Sequence, residues 1–336
     1  MKSHQASIND IAKALGVSPS TVSRALNNHP DISAGTRQRV HDYARSVKYR
    51  PNILAVGLKH QRSFTLGIIV PEFVHHFFST VISGIEDIAY SKGYRVMICQ
   101  SNEDQQREMI NIQALLEHRV DGLLVSPSKS TLDYSHFTQA LESNIPIVFF
   151  DRIVAGIPSD KVISNDYKGS FAITNHLIQT GRRKIMHLAA PQNITVGRER
   201  SRGYFDALEK QGVTVNEQHI LPCDTPFKVQ AAKEKILQLA GDVDAIFAVN
   251  DFTAIAVMKL LQESGYRIPE QIAITGYGDD PIATIAKPTL TTFQQKGYEM
   301  GREAVSMLIN RLENPDANIE YQTKVFQGNL VIRESA

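Results

Sequence analysis

Apolar and polar positions follow two regimes that change near residue 64. In the first, Ile8, Ile11, Ala12 and Leu15 share one helical face. Ser7-Ile8-Asn9-Asp10 has the form of a capping box ahead of them, and Gly16 supplies a left-handed stop. Ser18 can cap a second helix with Pro19 at its first position, where a missing N–H is harmless. Val22 and Leu26 face inward at i and i+4, leaving Ser20, Thr21, Ser23, Arg24 and Asn27 on other faces. A third helix starts near Ser33, buries Val40, Ala44 and Val47, and ends at Pro51. Two short helices about a Gly-containing turn, braced by a third, predict a helix-turn-helix module.

From Phe64 the period changes. Short apolar runs ("FTLGIIV", "YRVMICQ", "DGLLVSP", "IPIVFFD", "KVISND", "KIMHLAA", "DAIFAVN", "IAITGYG") alternate with amphipathic segments such as 77–92, 107–118, 171–180, 202–211 and 252–264. Continuous Val/Ile/Leu strands alternating with helices predict parallel sheets covered on both faces. Eight or more strands in this length fit two sheets better than one. Ligands of open α/β sheets sit at the carboxyl ends of strands. That rule draws attention to Phe77, Phe78, Asp151, Arg152, Asn165, Asp166, Arg198, Arg200, Asn250, Asp251, Gly278, Asp279 and Asp280. Carboxylates, amides and guanidinium groups beside aromatic platforms suit a polyhydroxylated sugar. Any one of them alone reads as a helix cap or a surface ion pair.

Composition changes the picture only when divided. Net charge over 336 residues is +1, but residues 1–62 hold ten Lys/Arg against three acids, about +7, and the remainder 26 against 32, about −6. A basic module of this size is expected to bind a polyanion, although a merely solvated surface has the same charge. The second helix, small and polar at its start, suits a major groove: Arg matches guanine, and hydroxyls suit phosphates. A three-helix bundle without a ligand explains the apolar pattern but not the basic excess. No apolar run approaches the ~20 residues of a membrane span, and the opening residues carry no h-region or cleavage site. Cys99 and Cys223, far apart, fit a reducing cytoplasm better than a disulfide framework.

The run "INDIAKALGVSPSTVSRALNNHPDISAGTRQRVHDYARSVKYRPN" resembles the DNA-binding head of the LacI/GalR (lactose-repressor-type) transcription regulators. The resemblance implies that Pro19, Ser20 and Arg24 lie where that family reads base edges, and Thr21, Ser23, Asn27, Ser33 and Thr36 where it holds phosphates. "PNILAVGLKH" is similar to the family's hinge helix at Asn52, Ala55 and Leu58, with Leu58 as the minor-groove wedge. Val56 replaces the usual Arg and Gly57 stands beside it, so ordering is expected to depend on DNA; Gly costs a helix about 1 kcal/mol against Ala. A flexible linker is the alternative.

Beyond residue 63 the resemblance is looser and rests on "VDGLLVSP", "DRI", "GRERSRGYFDAL", "FAVNDFTAIAVMKLLQESGYRIPEQIAITGYGDDPIA" and "KPTLTTFQQ". It implies a small all-α helix-turn-helix head (1–50), a hinge (51–62), and a two-lobed α/β, periplasmic-binding-protein-like effector domain (63–336). The N-lobe is expected at about 63–163 and 293–320, the C-lobe at about 164–290 and 321–336. Crossings would fall near 162–166, 290–293 and 320–323. Carried over by position, Phe77, Phe78, Asp151, Arg152, Arg200, Asn250, Asp251 and Asp279 line the effector cleft. Gly278 departs from an acidic residue common at that place; either Asp279 substitutes from the next position or the effector needs one acceptor fewer.

The implied function is a regulator, usually a repressor of carbohydrate genes, that binds a pseudo-palindromic operator as a homodimer. Residues 79–88 and 252–264 are expected to supply the dimer face. A sugar-like effector is implied, with no cofactor and no metal. Phosphorylated and neutral sugars, nucleosides and uronates all remain compatible; Arg198, Arg200 and Arg202 would favour an anion unless two of them face solvent.

Two other functions compete. An enzyme is poorly supported: G-x-S-x-G, the P-loop, G-x-G-x-x-G and H-E-x-x-H are absent, and the adjacent His75-His76 pair points apart on a helix. A sugar-binding module without a DNA role would leave the basic head unused.

Overall fold

Ser7 opens the first helix with a reciprocal cap: its N–H donates to Asp10 Oδ2 at 2.8 Å and the Asp10 N–H to its Oγ at 3.3 Å. The helix, α1, runs Ile8–Leu15 and stops at Gly16, whose φ of 65° is left-handed. Helix α2 is Pro19–Leu26, capped by Ser18, and α3 is Ala34–Ser46, capped by Ser33. Ile11, Val22, Ala25 and Val40 form the centre of this small core, with Ala12 and Ala44 around it. Leu26 and Val47 only flank it; Ala25 takes the inner position expected of Leu26. The third helix ends at Ser46, ahead of Pro51.

The computed structural model describes residues 6–49, 62–315, 317 and 319–336. The chain divides after Ser63 into the head and a receptor unit, Phe64–Ala336.

In the receptor's first lobe β1 (Thr65–Val70), α4 (His76–Ser91), β2 (Arg95–Gln100), α5 (Gln105–Glu117), β3 (Gly122–Val125), α6 (Ser135–Glu142), β4 (Ile147–Phe150) and β5 (Asp160–Ser164) alternate. The second lobe follows with α7 (Asp166–Gln179), β6 (Ile185–Ala189), α8 (Thr195–Lys210), β7 (Ile220–Pro222), α9 (Pro226–Ala231), α10 (Lys233–Ala240), β8 (Ala245–Ala248), α11 (Asp251–Glu263), β9 (Ala273–Thr275) and α12 (Ile282–Ile285). Then come β10 (Thr292–Gln294), α13 (Gly297–Glu313), β11 (Thr323–Phe326) and β12 (Asn329–Val331).

The first sheet is parallel throughout, in the order β11-β5-β4-β3-β1-β2, and the second is parallel in the order β7-β6-β8-β9. Alternate residues serve opposite faces. Leu66, Ile68, Leu124, Val148 and Phe150 meet α4 and α13, while Ile69, Leu123, Val125 and Phe149 meet α5 and α6. Burial on both faces is why these strands read as unbroken apolar runs.

The lobe boundaries differ from expectation. Strand β11 pairs with β5, Thr323 opposite Lys161 to Phe326 opposite Ser164. Residues 323–326 therefore belong to the first lobe, and the third crossing lies between Phe326 and Asn329 rather than near 320–323. The second falls after Gln294, because β10 pairs antiparallel with β12 and Gln294 bridges to Gly278. The first lies between Ser164 and Asp166, where β5 ends and α7 begins. β11 escaped notice because it is an edge strand, Thr-Lys-Val-Phe, with three of its four residues exposed.

Helices α4 and α13 approach to backbone contact. A Cβ added at Gly84 would strike the Tyr298 carbonyl oxygen, and one at Gly301 the Val81 carbonyl oxygen. Backbone cannot move aside as a side chain can. Gly84→Ala should therefore destabilise the receptor unit by on the order of 3 kcal/mol; thermal unfolding indistinguishable from the parent protein would contradict this packing.

Candidate functional site

On the head, α2 presents Pro19, Ser20, Arg24 and Asn27 to solvent, with Thr21 and Ser23 half-buried beside them. Its N-terminal hydroxyls are knotted together: Ser18 Oγ lies 2.7 Å from Ser20 Oγ and 2.9 Å from Thr21 Oγ1. The amide of Asn27 donates back to the Ser23 carbonyl at 2.9 Å. Ser33 Oγ donates to Thr36 Oγ1 at 3.0 Å. Arg24 is exposed, with no partner among the described residues. One donor fork therefore projects from a short helix whose neighbours are small hydroxyls, a shape able to enter a groove. Asn52, Ala55 and Leu58 lie outside the described residues.

In the receptor unit, the carboxyl ends of eight parallel strands converge on one cleft between the lobes. From the first lobe come Glu72 and His75–Phe78 after β1, Glu103 after β2, Lys129 after β3, and Asp151 and Arg152 after β4. From the second come Ile194 and Arg200 after β6, Asp224 after β7, Asn250–Phe252 after β8, and Tyr277, Gly278 and Asp280 after β9. Contacts span the cleft: Lys129 Nζ to Asp224 Oδ2 at 3.2 Å, Asn193 Nδ2 to the Lys129 carbonyl at 2.7 Å, and the His76 N–H to Asp280 Oδ2 at 3.2 Å. The His75 and Phe252 rings meet edge-on at 5.5 Å.

Arg200 is fixed on all sides. It grips Asp166 Oδ1 through Nε and Nη2, both at 2.8 Å, donates from Nη1 to the Val249 carbonyl at 2.6 Å, and lies 3.6 Å above the Tyr277 ring. Burial opposes its charge, but Asp166, Tyr277 and Asp151 together hold its pKa above the usual guanidinium value. Arg152 makes a fork-to-fork pair with Glu103 at 2.7 and 2.8 Å.

Asp151 differs from both. It is 7% exposed, its backbone is left-handed at φ 60°, and no donor among the described residues reaches its carboxylate; Arg152 Nε stands 4.0 Å away. Burial, reinforced by the charge on Asp166 and offset by Arg152 and Arg200, pushes its pKa up to about 7. The folded protein therefore holds this proton more tightly than the unfolded chain. The penalty is absent below about pH 4, grows as pH rises, and is complete above about 7. The rise from 3.8 to about 7 is worth up to roughly 4 kcal/mol. Asp151→Asn should accordingly be more stable than the parent at pH 8 and nearly equal to it at pH 4, measured by denaturant unfolding. A pH-independent difference would mean the carboxylate is not desolvated.

Seven of the eight residues expected at the cleft, Phe77, Phe78, Asp151, Arg152, Arg200, Asn250 and Asp251, line it. Phe78 does so while 4% exposed and packed mainly in the first-lobe core. Asn250 caps α11, accepting from the Thr253 N–H at 2.8 Å. Asp251 is nearly inaccessible and organises the loop after β9, accepting from the Asp280 N–H at 2.7 Å and Thr292 Oγ1 at 2.5 Å. Burial lifts its pKa to about 6 despite those two bonds.

Asp279 is the exception. Its carboxylate turns away to Arg333 Nη2 at 2.7 Å and Gln294 Nε2 at 3.0 Å, and it does not line the cleft; Asp280 does. At Gly278, φ is 135°, and at Asp279 it is 58°, so the turn advances the cleft-facing carboxylate by one residue. Sequence reasoning missed Glu103, Lys129, Asp224, Phe252 and Tyr277. The first three follow strands at their carboxyl ends, and the same rule applied to β2, β3 and β7 finds them. Among the described residues no cluster of His, Cys, Asp or Glu is arranged to hold a metal ion, and no helix is long and apolar enough to cross a membrane.

A groove-sized basic head joined to a two-lobed receptor defines a ligand-responsive DNA-binding regulator. The profile of bacterial regulatory proteins of the lacI family matches residues 7–52, and that of the periplasmic binding protein-like domain residues 174–336. The chain is 31% identical over 335 residues to the HTH-type transcriptional repressor PurR of Photobacterium profundum, covering 98% of each. It belongs to the LacI family of transcriptional regulators. Among solved structures, a transcriptional regulator CelR–cellobiose complex is similar at 28% identity and TM-score 0.75, over 99% of this chain and 100% of that one. A lac repressor dimer bound to operator and an anti-inducer shares the fold, with TM-score 0.84 at 24% identity over 99% of each chain.

Proposed function

We propose that this chain is a cytoplasmic, non-enzymatic repressor that binds a pseudo-palindromic operator as a homodimer and changes its DNA affinity when a small polar effector occupies the interlobe cleft. The observation that carries the reading is the convergence of strand ends from both lobes on one cleft, crossed by the Lys129–Asp224 pair. A ligand bridging such a cleft favours one lobe separation over another, and any DNA affinity that depends on that separation is coupled to it reciprocally. The proposed operator contacts are base edges for Pro19, Ser20 and Arg24, phosphates for Thr21, Ser23, Asn27, Ser33 and Thr36, and the minor groove for Asn52, Ala55 and Leu58. In the cleft, Asp151, Arg152, Arg200, Asn250 and Asp251 hold the effector or position the groups that do, with Phe77 and Phe78 as apolar walls and Asp280 in the place expected of Asp279. The relative's bound cellobiose supports a sugar-like ligand.

Fluorescence anisotropy of labelled duplexes with purified full-length protein, with and without a metabolite panel, tests this. Preference for one palindromic duplex that shifts with one metabolite class is the expected result. No preference for any duplex over random competitor, under any addition, would end the proposal.

A further inference from the structure

Every cation lining the cleft is already neutralised from within the protein. Arg152 is held by Glu103 and Arg200 by Asp166, while Lys129 shares Asp224 with Lys228 and also lies 4.0 Å from Glu103. Arg198 and Arg202, the other two arginines of the Arg200 helix, lie on its opposite face, exposed outside the cleft, and Arg202 pairs with Glu199 at 2.7 Å. The carboxylates are not balanced in the same way. Asp251 and Asp280 accept only from neutral donors: Thr292 Oγ1 and the Asp280 N–H for the first, the His76 and Ile282 N–H groups for the second. Asp151, nine-tenths buried, accepts no hydrogen bond among the described residues, and its one ion-pair contact is the long one to Arg152 Nε at 4.0 Å. The cleft therefore offers a bound molecule uncompensated negative charge and aromatic faces from Phe77, Phe252 and Tyr277.

We propose that the effector carries a positively charged amino group that pairs with Asp151, and that phosphorylated and carboxylated analogues are rejected. This rests on the cleft being the effector site. An anion entering would meet guanidinium and ammonium groups already committed, beside Asp251 and Asp280, which have no cationic partner among the described residues, and Asp151, whose contact with Arg152 is a long 4.0 Å, and would have to break an ion pair to be received. An ammonium instead gains a charge-assisted bond to a desolvated carboxylate and attraction from the ring faces. A neutral hydroxyl can also donate to Asp151, but it leaves the charge uncompensated.

The charged groups facing Asp151 are Asp166, Arg152, Arg200 and Glu103; burial, helped by the two acids and opposed by the two arginines, pushes its pKa up to about 7. An ammonium needs Asp151 ionised. For an amine that stays protonated over this range, such as 2-aminoethanol, affinity should therefore rise about tenfold between pH 6 and pH 8, as Asp151 ionisation passes through the midpoint near 7; glucosamine, which itself loses protons towards pH 8, should gain less. A polyol received by the protonated acid would show no such rise.

The test uses full-length protein and matched trios differing in charge: glucosamine, glucose and glucose 6-phosphate, with 2-aminoethanol, ethane-1,2-diol and glycolate as scaffold-free fragments. Thermal shift and calorimetry at pH 6 and pH 8 are the readouts, with operator binding followed in parallel. The amine members should bind at least tenfold more tightly than their partners, strengthen with pH, and lose both properties in Asp151→Asn. Stronger binding by neutral or anionic members, or an amine response that survives Asp151→Asn, would overturn the charge assignment while leaving the cleft as the effector site. Silence from all three classes at both pH values would count against the cleft itself.

Discussion

Replacing Arg200 by methionine should abolish the response to effector and destabilise the receptor unit by roughly 3–5 kcal/mol, the usual cost of removing one member of a buried ion pair. Asp166 would be left 5% exposed and without its guanidinium partner, close to the already desolvated Asp151. The carbonyl of Val249 would lose its donor and Tyr277 its stacked cation. Arg200→Lys should recover little, because an ammonium cannot serve Asp166 and Val249 together while lying flat on a ring. The head has its own core and should still bind duplex DNA. Unfolding of the receptor unit followed by circular dichroism, with anisotropy for the operator, separates the two effects. A normal ligand response in Arg200→Met would remove this side chain from the cleft's working parts.

Arg24→Ala should reduce the preference for operator over mismatched duplex by about 1–3 kcal/mol, the discrimination ordinarily carried by one bidentate guanine contact. Binding to random DNA should change little, since Lys and Arg elsewhere in the head still neutralise phosphates. Arg24 is exposed on α2 and outside the Ile11–Val22–Val40 core, so folding should be unaffected. Selectivity that survives the change would move base reading to another residue of α2.

The head was legible almost to the residue because each of its decisions is local. Ser7, Ser18 and Ser33 cap, Gly16 stops, and Pro19 starts, all within four residues of what they control. The buried strands were equally plain, since burial on both faces leaves an unbroken apolar run. What stayed hidden was set by distant partners. β11 has no apolar run because its outer edge is exposed, and only pairing with β5, some 160 residues earlier in the chain, makes it a strand. Asp279 and Asp280 are indistinguishable in sequence. The left-handed turn at Gly278 and Asp279, together with Arg333 over fifty residues away, decides which of them faces the cleft. Lys129 and Asp224 acquire a role only by meeting across the lobes.

The route of the chain through the two lobes has a consequence for synthesis. α13 and β11, which complete the first lobe, leave the ribosome only after nearly all of the second lobe has been made. Until then the apolar face of α4, built on Val81, Gly84 and Ile85, has no helix to bury against. A nascent chain stalled near residue 290 should present that bare stripe to chaperones, while the head, whose core lies wholly within residues 8–49, has long since folded.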